Sequence, residues 1–489
     1  MHRIRDLREY IETLRELGDL CDIDHEVDPY LEMAAFTRLG YDQPIPAPAP
    51  LFTNIKGAKP GMRALGAPGA LSSLPNNPAA RVALSVGLPI NATWLQIVEA
   101  LVASRSKPKI PPKLVENAPF KQNILRGEAA TLDIFPIGTL HEGDGGPYAN
   151  TWGTIVVRSP DAKWTSWSIA RIEKLDGKRM TGLFQKPQHI RMIWDMWVAI
   201  GREMPFALCQ GCEPGLPFVS AMPLEDWISE SDYLGAHFGE PIEVVRCETV
   251  DLEVPASAEV VIEGYVSLVN DSMEGPFGEY QGYQATETGM QPTYHIKSIS
   301  YRDGAIWPFV PEGKPVDEFH TCAGLGFSVE GLGLLREAGL PVTMAWTPFE
   351  TAVSWLIVTV SPDWRQKLPG ISSMEFSKKI ASIIWGSLFG HCMEILYILD
   401  DDIDPTNMKD LLWAIPTRCH PTERQYVEVG LILPLLTCYS HQEREAARGP
   451  KIVHDGLLPE EGQGRCKISS FKGDYPESVR ERVLKHWRW

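Results

Sequence analysis

The sequence changes character near residue 320, and this change limits the folds that the chain can adopt. From about residue 150 to 310 it consists mainly of short strand-like runs, and TWGTIVVRSPDAKWTSWSIARI (151–172) predicts two strands joined at the turn SPDAK. Further strands are predicted at 244–250 and 258–269. Later patterns predict a helix, a buried strand, a second helix and a strand, at 324–339, 351–362, 372–390 and 394–405. We therefore predict an α+β protein with a β-rich middle and a separate α+β unit at its C-terminal end.

The N-terminal region predicts an amphipathic helix that Gly18 ends. The apolar residues at helical spacing are Ile4, Leu7, Ile11 and Leu14. Residues 42–50 (DQPIPAPAP) and 107–119 (KPKIPPKLVENAP) are rich in proline and predict connectors at the surface. The tail ESVRERVLKHWRW (477–489) predicts an amphipathic helix whose apolar stripe packs on a partner subunit.

The charge balance argues against two classes of partner. With 46 basic and 63 acidic residues, the net charge is −17, whereas nucleic acids and anionic membranes bind basic surfaces. No apolar run approaches the roughly 18–20 residues of a membrane span, and the opening residues lack the features of a signal peptide. The nine cysteines are an odd count, which is typical of reduced thiols. We therefore expect a cytoplasmic protein without nucleic-acid or membrane partners, and we interpret Cys209 and Cys212 as incidental thiols.

The stretch EGPFGEY places two carboxylates, Glu274 and Glu279, on a loop shaped by glycine and proline. Two acids that share one site cannot both ionise cheaply, so the pKa of at least one is raised, and such a group can exchange a proton near neutral pH. The same residues also fit a polar β-hairpin loop or a calcium-type carboxylate loop. Spacing alone favours these loops, because acidic loops are common.

Two other stretches carry residues with catalytic or ligand chemistry. Arg171 ends SWSIAR, and its guanidinium can orient a substrate carboxylate or form a structural ion pair with Glu274 or Glu279. His189, in KPQHI, can hold a divalent ion together with a distant carboxylate such as Glu230, in SESDYLGA. A single histidine is more often structural, so its role stays open at this level.

Taken in order, KWTSWSIAR, KPQHI, SESDYLGA and EGPFGEYQGY resemble the UbiD family of decarboxylases, which use prenylated flavin mononucleotide (FMN). The likeness is to the fungal ferulic and cinnamic acid decarboxylases and their bacterial aromatic-acid relatives in particular, and it covers nearly the whole chain. It implies an FMN-binding split-barrel-type central domain and a separate α+β C-terminal domain. The implied domains are an N-terminal α/β segment, a β-rich domain that binds prenylated FMN, and a C-terminal oligomerisation domain with its terminal helix, at 1–115, 116–325 and 326–489.

The resemblance assigns roles residue by residue. It makes Glu279 the acid that protonates the decarboxylated carbon and Glu274 the partner that holds Arg171. The implied cofactor contacts are Ser168, Ile169, Ala170, Arg171, Gln188, His189, Met222 and Glu230. A divalent ion, usually manganese, would bind His189, Glu230 and Ser166, and potassium would bind carbonyls of Trp167, Ser220 and Met222. Two positions depart from the family: Ser166 replaces a common asparagine, and Leu388 replaces a lysine near the phosphate.

The activity implied is a reversible, non-oxidative decarboxylation of an aromatic, heteroaromatic or α,β-unsaturated acid through cycloaddition to the cofactor. Positions matching the substrate pocket are Gln185, Cys322, Ala323 and Leu433. Their smaller side chains, and an amide in place of an aliphatic group, predict an aromatic or heteroaromatic substrate, including bicyclic acids, over plain cinnamate. A flavin prenyltransferase would supply the cofactor, and a homodimer or larger assembly is expected. Two alternatives remain, a metal-dependent hydrolase and a non-catalytic flavin-binding relative.

Overall fold

The structure, a computed structural model, describes residues 3–284, 288–459 and 468–487. Its N-terminal region alternates helices and short strands. These are α1 (Leu7–Leu17), β1 (Leu20–Ile23), α2 (Glu32–Tyr41), β2 (Ala49–Phe52), β3 (Arg63–Gly66), α3 (Ala80–Ser85), α4 (Trp94–Arg105) and β4 (Lys113–Leu114). The predicted opening helix is present, since Asp6 caps its first turn and Gly18 ends it with φ 77°. A left-handed φ of this kind favours glycine.

The middle of the chain contains more strand than helix. Its strands are β5 (Asn123–Arg126), β6 (Tyr148–Asn150), β7 (Thr154–Arg158), β8 (Thr165–Ser168), β9 (Ile172–Lys174), β10 (Arg179–Gly182), β11 (Met204–Gln210), β12 (Glu243–Arg246), β13 (Glu253–Pro255), β14 (Val260–Glu274), β15 (Gly289–Tyr301) and β16 (Ile306–Phe309). Its helices are α5 (His189–Ala199), α6 (Gly215–Ser220) and α7 (Glu230–Phe238). Short 3-10 turns lie at Pro119–Gln122, Gly127–Ala129 and Leu132–Ile134.

Nine strands form the central sheet, in the order β6-β9-β10-β15-β14-β11-β7-β8 with β5 paired to β15. The predicted hairpin at 151–172 is present, because β7 and β8 pair antiparallel with Ile155 opposite Ser168 and Arg158 opposite Thr165. Strand β14 extends five residues beyond its predicted end at residue 269 and pairs with β15 as far as Glu274. Glu274 is therefore held at the end of a long sheet hairpin.

The C-terminal region carries a second sheet. Its strands are β17 (Val342–Trp346), β18 (Trp355–Val360), β19 (Ile395–Asp400), β20 (Gln425–Leu431) and β21 (Arg448–Asp455), in the order β17-β18-β19-β21-β20. Its helices are α8 (Glu318–Glu337), α9 (Trp364–Lys367), α10 (Ser373–Trp385), α11 (Met408–Arg418), α12 (His441–Ala446), α13 (Phe471–Asp474) and α14 (Glu477–His486), with 3-10 turns at Phe349–Thr351 and Gly390–Cys392. The predicted order of helix, strand, helix and strand is thus present. The three domain boundaries remain predictions.

The proline-rich segments are only partly the surface connectors that we predicted. Ala49 and Pro50 already belong to buried strand β2, where they pair with Leu20 and Cys21. Within the second segment, β4 pairs parallel with β12. The reason is that Ala49–Pro50 and Lys113–Leu114 lie beside neighbouring strands, which satisfy their backbone polar groups.

The C-terminal tail is exposed and the two CxxC thiols are buried, while the role of each remains a prediction. Helix α14 has no buried residue, and Leu484 and Trp487 are 60% and 62% exposed, whereas Arg488 and Trp489 lie outside the described residues. Cys209 and Cys212 are buried free thiols in the main core cluster. Across the described ranges, no helix has the length and apolar content to cross a membrane.

Candidate active site

A cavity of about 340 Å³ lies where the central sheet meets helix α8. Most of the predicted site residues line it, and these are Ser168, Ile169, Ala170, Arg171, Gln185, Gln188, His189, Ser220, Met222, Glu230, Glu279, Cys322, Ala323 and Leu433. Three predicted residues, Ser166, Trp167 and Glu274, are buried behind its wall. The volume falls at the lower end of the range of about 300–1,000 Å³ that is typical of small-molecule sites.

Arg171 joins the two acids of EGPFGEY. Its Nε donates to Glu274 Oε1 at 2.8 Å and its Nη2 donates to Glu274 Oε2 at 3.0 Å, which is the two-pronged geometry of a strong pair. Its Nη1 donates to Glu279 Oε1. Both carboxylates are nearly fully buried. Arg171 and Glu279 are 108 positions apart in sequence. They meet because Arg171 lies between β8 and β9, which belong to the same sheet as the β14–β15 hairpin.

The loop between the two acids is fastened by backbone hydrogen bonds. Gly275 has φ 82°, a conformation that favours glycine, and its amide donates to Glu173 Oε2 at 2.9 Å. The Gly278 amide donates to Asp144 Oδ1 at 3.0 Å. The tyrosine hydroxyl of Tyr148 donates to Glu274 Oε1 at 3.1 Å. The loop does connect a hairpin, as one of our readings proposed, but it is a buried loop whose acids share a guanidinium.

Burial raises the pKa of two carboxyls at this site, those of Glu279 and Glu173. It raises the pKa of Glu279 above its ordinary value, although the Arg171 guanidinium opposes this shift by favouring the ionised form. Burial also raises the pKa of Glu173, which lies behind the loop, to about 7. Glu279 thus retains its proton to higher pH than a free carboxyl, which is what a general acid requires.

A second polar group lies at the ends of two helices. His189 begins α5 and Glu230 begins α7, and the distance between His189 Nδ1 and Glu230 Oε1 is 3.3 Å. Ser166 Oγ lies 3.3 Å from the same oxygen, and Glu230 Oε2 accepts from the Trp167 amide at 2.7 Å. The histidine Nε2 also lies 3.5 Å from Asp226 Oδ1, an acid that our sequence analysis did not select.

This donor set fits a divalent cation. One imidazole nitrogen, one carboxylate and one hydroxyl converge from three elements, and hard or borderline cations accept such ligands. A phosphate beside buried Glu230 would be repelled unless a cation lay between them, since like charges close together are costly. The cavity next to it combines polar Gln188 and Ser168 with apolar Ile169 and Met222, a lining that would suit a ligand with one polar and one apolar part.

The remaining predicted residues are placed as follows. Ser220 and Met222 line the cavity, and Ser220 Oγ is 3.1 Å from Thr154 Oγ1, whereas the Trp167 ring belongs to the core. Leu388 also lines the cavity with its apolar side chain. Their carbonyl and phosphate roles remain predictions.

Several lining residues escaped the sequence analysis. Tyr280 and Phe319 stack with ring centroids 3.6 Å apart and planes at 12°, and both line the cavity with Glu312 and His391. Tyr280 directly follows Glu279, which was a usable signal. The other three come from segments far from the motifs, and no local pattern indicates that they face the cavity.

Comparison with known proteins identifies one protein family over nearly the whole chain. Three models of one family match, described as the N-terminal, Rift-related and C-terminal domains of 3-octaprenyl-4-hydroxybenzoate carboxy-lyase, at residues 11–101, 113–315 and 320–456. The chain is 37% identical over 485 residues to pyrrole-2-carboxylic acid decarboxylase of Pseudomonas aeruginosa, covering 99% of this chain and 97% of that protein. It is 38% identical over 493 residues to ferulic acid decarboxylase 1 of Saccharomyces cerevisiae, with the same coverage.

Solved structures support the fold. Vanillic acid decarboxylase of Sedimentibacter hydroxybenzoicus, in its closed form, has a TM-score of 0.84 at 24% identity and covers 99% of both chains. A UbiD-class enzyme of Pelotomaculum thermopropionicum, in complex with prenylated FMN, has a TM-score of 0.79 at 23% identity, over 97% of this chain and 100% of that one. The family and fold predicted from the motifs are therefore confirmed, and the chain belongs to the UbiD family of carboxy-lyases.

Proposed function

We propose that this carboxy-lyase removes CO₂ reversibly and without oxidation from aromatic, heteroaromatic or α,β-unsaturated carboxylic acids, with prenylated FMN as cofactor. The observation that carries the proposal is the pairing of half-buried Arg171 with the buried acids Glu274 and Glu279 beside a cavity of about 340 Å³. Ferulic acid and pyrrole-2-carboxylic acid decarboxylases among its relatives support this substrate class. A hydrolase or a non-catalytic relative is not favoured, because neither explains two costly buried acids around one guanidinium.

When bound, prenylated FMN supplies the electron sink that loss of CO₂ requires. The residues of the chain do the rest. Glu274 holds Arg171 in two-pronged geometry from behind the wall, and Arg171 holds Glu279 at the cavity. The proton on the Glu279 carboxyl passes to the carbon that has lost CO₂. The stacked Tyr280 and Phe319 rings and the apolar walls keep the planar acid in place and exclude water.

The proposal includes the ions and the assembly. His189, Glu230 and Ser166 would hold manganese against the flavin phosphate, with potassium on the carbonyls of Trp167, Ser220 and Met222. A flavin prenyltransferase would supply the cofactor. The exposed apolar face of α14 supports a homodimer or larger assembly. Eight cysteines are free thiols in the described residues, which supports a reducing, cytoplasmic setting.

The function is tested by producing the protein together with a flavin prenyltransferase. We expect an absorbance spectrum and a released-cofactor mass that differ from those of FMN, and CO₂ release from at least one acid in a panel of cinnamic, hydroxybenzoic, pyrrole-, indole- and naphthoic-type acids. The matched control is protein produced without the prenyltransferase, which should be inactive. Equal activity in the control, or a fully loaded protein that decarboxylates no member, would contradict the proposal.

The weak hydroxyl ligand leads to a prediction on metal affinity. Replacing Ser166 with asparagine should tighten Mn²⁺ binding by about 10-fold in the presence of FMN, because a carbonyl oxygen is a better ligand than a neutral hydroxyl. His189→Ala should weaken it by at least about 10-fold. The free Mn²⁺ signal in electron paramagnetic resonance measures both. His441→Ala, at a histidine whose side chain is 76% exposed, is the control. Equal affinities in all four proteins would remove Ser166 and His189 from the metal site.

A further inference from the structure

Glu312 is an acid in the cavity that the proposed chemistry does not use. It lies between β16 and α8 and lines the same cavity as Glu279. Its backbone is fixed, because its carbonyl accepts a hydrogen bond from His141 Nε2 at 2.7 Å. Its side-chain carboxyl, by contrast, makes no hydrogen bond or ion pair with any residue in the described ranges.

The other acids that line this cavity all have partners. Glu279 is paired with Arg171, and Glu230 accepts from the Trp167 amide. Glu318 accepts from the Tyr41 hydroxyl at 2.6 Å and from the amides of Gly69 and Ala70 at 3.1 Å. Glu312 is half-buried at the cavity wall, and a carboxyl there that no protein group satisfies is available to hydrogen-bond a ligand.

The charge around Glu312 indicates what kind of partner fits. The cationic side chains Arg171 and Lys186 at the cavity are already engaged, by Glu274 and Glu279 and by Asp195. Burial raises the pKa of Glu312 well above its usual value, and the neighbouring acids Asp317 and Glu279 add to this shift. The raised pKa favours the neutral form of this carboxyl, which repels the substrate carboxylate less than the ionised form does. The neutral carboxyl accepts from an N–H or O–H and can donate in return.

Building on the proposed decarboxylase function, we propose that Glu312 determines specificity by hydrogen-bonding a neutral N–H or O–H group on the ring of the substrate. The walls nearby allow such a ring to enter, because Cys322 and Ala323 are small and Tyr280 and Phe319 present aromatic surface. The favoured acids are thus of the pyrrole, indole or phenol class. A ring of equal shape without the donor leaves the Glu312 carboxyl unsatisfied and is rejected.

The experiment compares acids that differ only in the donor. The holoenzyme is given pyrrole-2-carboxylate against thiophene-2-carboxylate, and 4-hydroxycinnamate against cinnamate. We expect the wild-type protein to favour the donor-bearing acid in kcat/KM by roughly 10- to 100-fold in at least one pair. Glu312→Leu should reduce this ratio to about 1, mainly by penalising the donor-bearing acid. Glu312→Gln, which keeps a neutral acceptor and donor, should retain most of it.

Two controls make the result decisive. Leu435→Ala, a change in the same cavity that removes no polar group, should affect both acids of a pair alike. Unchanged ratios in Glu312→Leu would overturn the proposal. An equal loss for both acids with a displaced pH profile would also overturn it, since Glu312 would then act through Glu279.

A binding measurement separates this proposal from the proposed decarboxylase function. Dissociation constants of the same acids are measured by calorimetry with holoenzyme that carries Glu279→Gln, with and without Glu312→Leu. A wild-type holoenzyme without turnover refutes the proposed function, while these constants still decide whether Glu312 recognises the donor.

Discussion

Replacing Glu279 with glutamine should lower kcat of the holoenzyme by roughly 10²- to 10⁴-fold, the usual contribution of a positioned acid. Glutamine keeps the size of the side chain and an oxygen for Arg171, but it has no acidic proton to give to the carbon that loses CO₂. The structure makes this substitution informative, because Glu279 is the acid of the pair that lines the cavity while Glu274 lies behind Arg171. Stopped-flow or steady-state CO₂ release measures the effect.

Cofactor occupancy must be measured on the same Glu279→Gln protein. We expect flavin absorbance per chain equal to that of the wild-type protein, because Glu279 belongs to the acid pair and not to the helix-end group of His189 and Glu230. Glu337→Gln changes an acid that is 55% exposed and serves as the control. Turnover within about threefold of the wild type at full occupancy would mean that another group delivers the proton.

Replacing Arg171 with leucine should reduce the free energy of unfolding by about 3–5 kcal/mol, the usual result of breaking a buried pair. The reason is that Glu274 and Glu279 would be left buried without a counter-charge. Burial already raises the pKa of Glu279, so removing Arg171 must raise it further. Stability linked to a carboxyl with a raised folded-state pKa is present below its unfolded pKa and is lost as pH rises through the folded value. The deficit should therefore be small near pH 5 and larger at pH 8.

Urea denaturation at these two pH values, followed by tryptophan fluorescence, tests the Arg171→Leu prediction. Arg126→Leu is the matched control, since Arg126 is 60% exposed in its pair with Glu248 and should contribute at most about 1 kcal/mol. A deficit for Arg171→Leu that is equally large at both pH values would show that the loss comes from packing and not from the two charges.

The sequence predicted elements well where burial leaves an apolar pattern, and less well where it does not. Strand β18 and helix α10 follow their apolar residues. The end of β14 was missed because Asn270, Asp271 and Ser272 are polar and exposed or half-exposed. Nevertheless Asn270 and Ser272 pair with β15, and the ladder is irregular between them. The start of α8 was missed as well, although Asp317 caps it and accepts from the Phe319 amide. Polar strand ends rely on backbone pairing, and helix caps rely on hydrogen bonds from side chain to backbone. Hydrophobic periodicity reports neither.

The sequence also could not predict which distant residues come together in the site. Spacing alone favoured an ordinary acidic loop for EGPFGEY, and the convergence of Arg171 with both acids could be expected only through the family resemblance. Glu312 and His391 could not be expected even then, because they reach the cavity from separate segments and lie outside the quoted motifs. Long-range proximity is set by the sheet topology, and a single sequence carries little direct record of it.

The cavity wall has two origins along the chain, and this has a consequence for how such enzymes diversify. The proton-handling side chains come from the β8–β9 connection and the β14–β15 hairpin, whereas other lining residues come from later segments, including Cys322, Ala323, Leu388 and Leu433. Substitutions in the later segments can therefore reshape the substrate pocket while Arg171, Glu274 and Glu279 stay unchanged. During evolution, substitutions in the later segments can change which acids such an enzyme accepts, while the residues that transfer the proton are conserved.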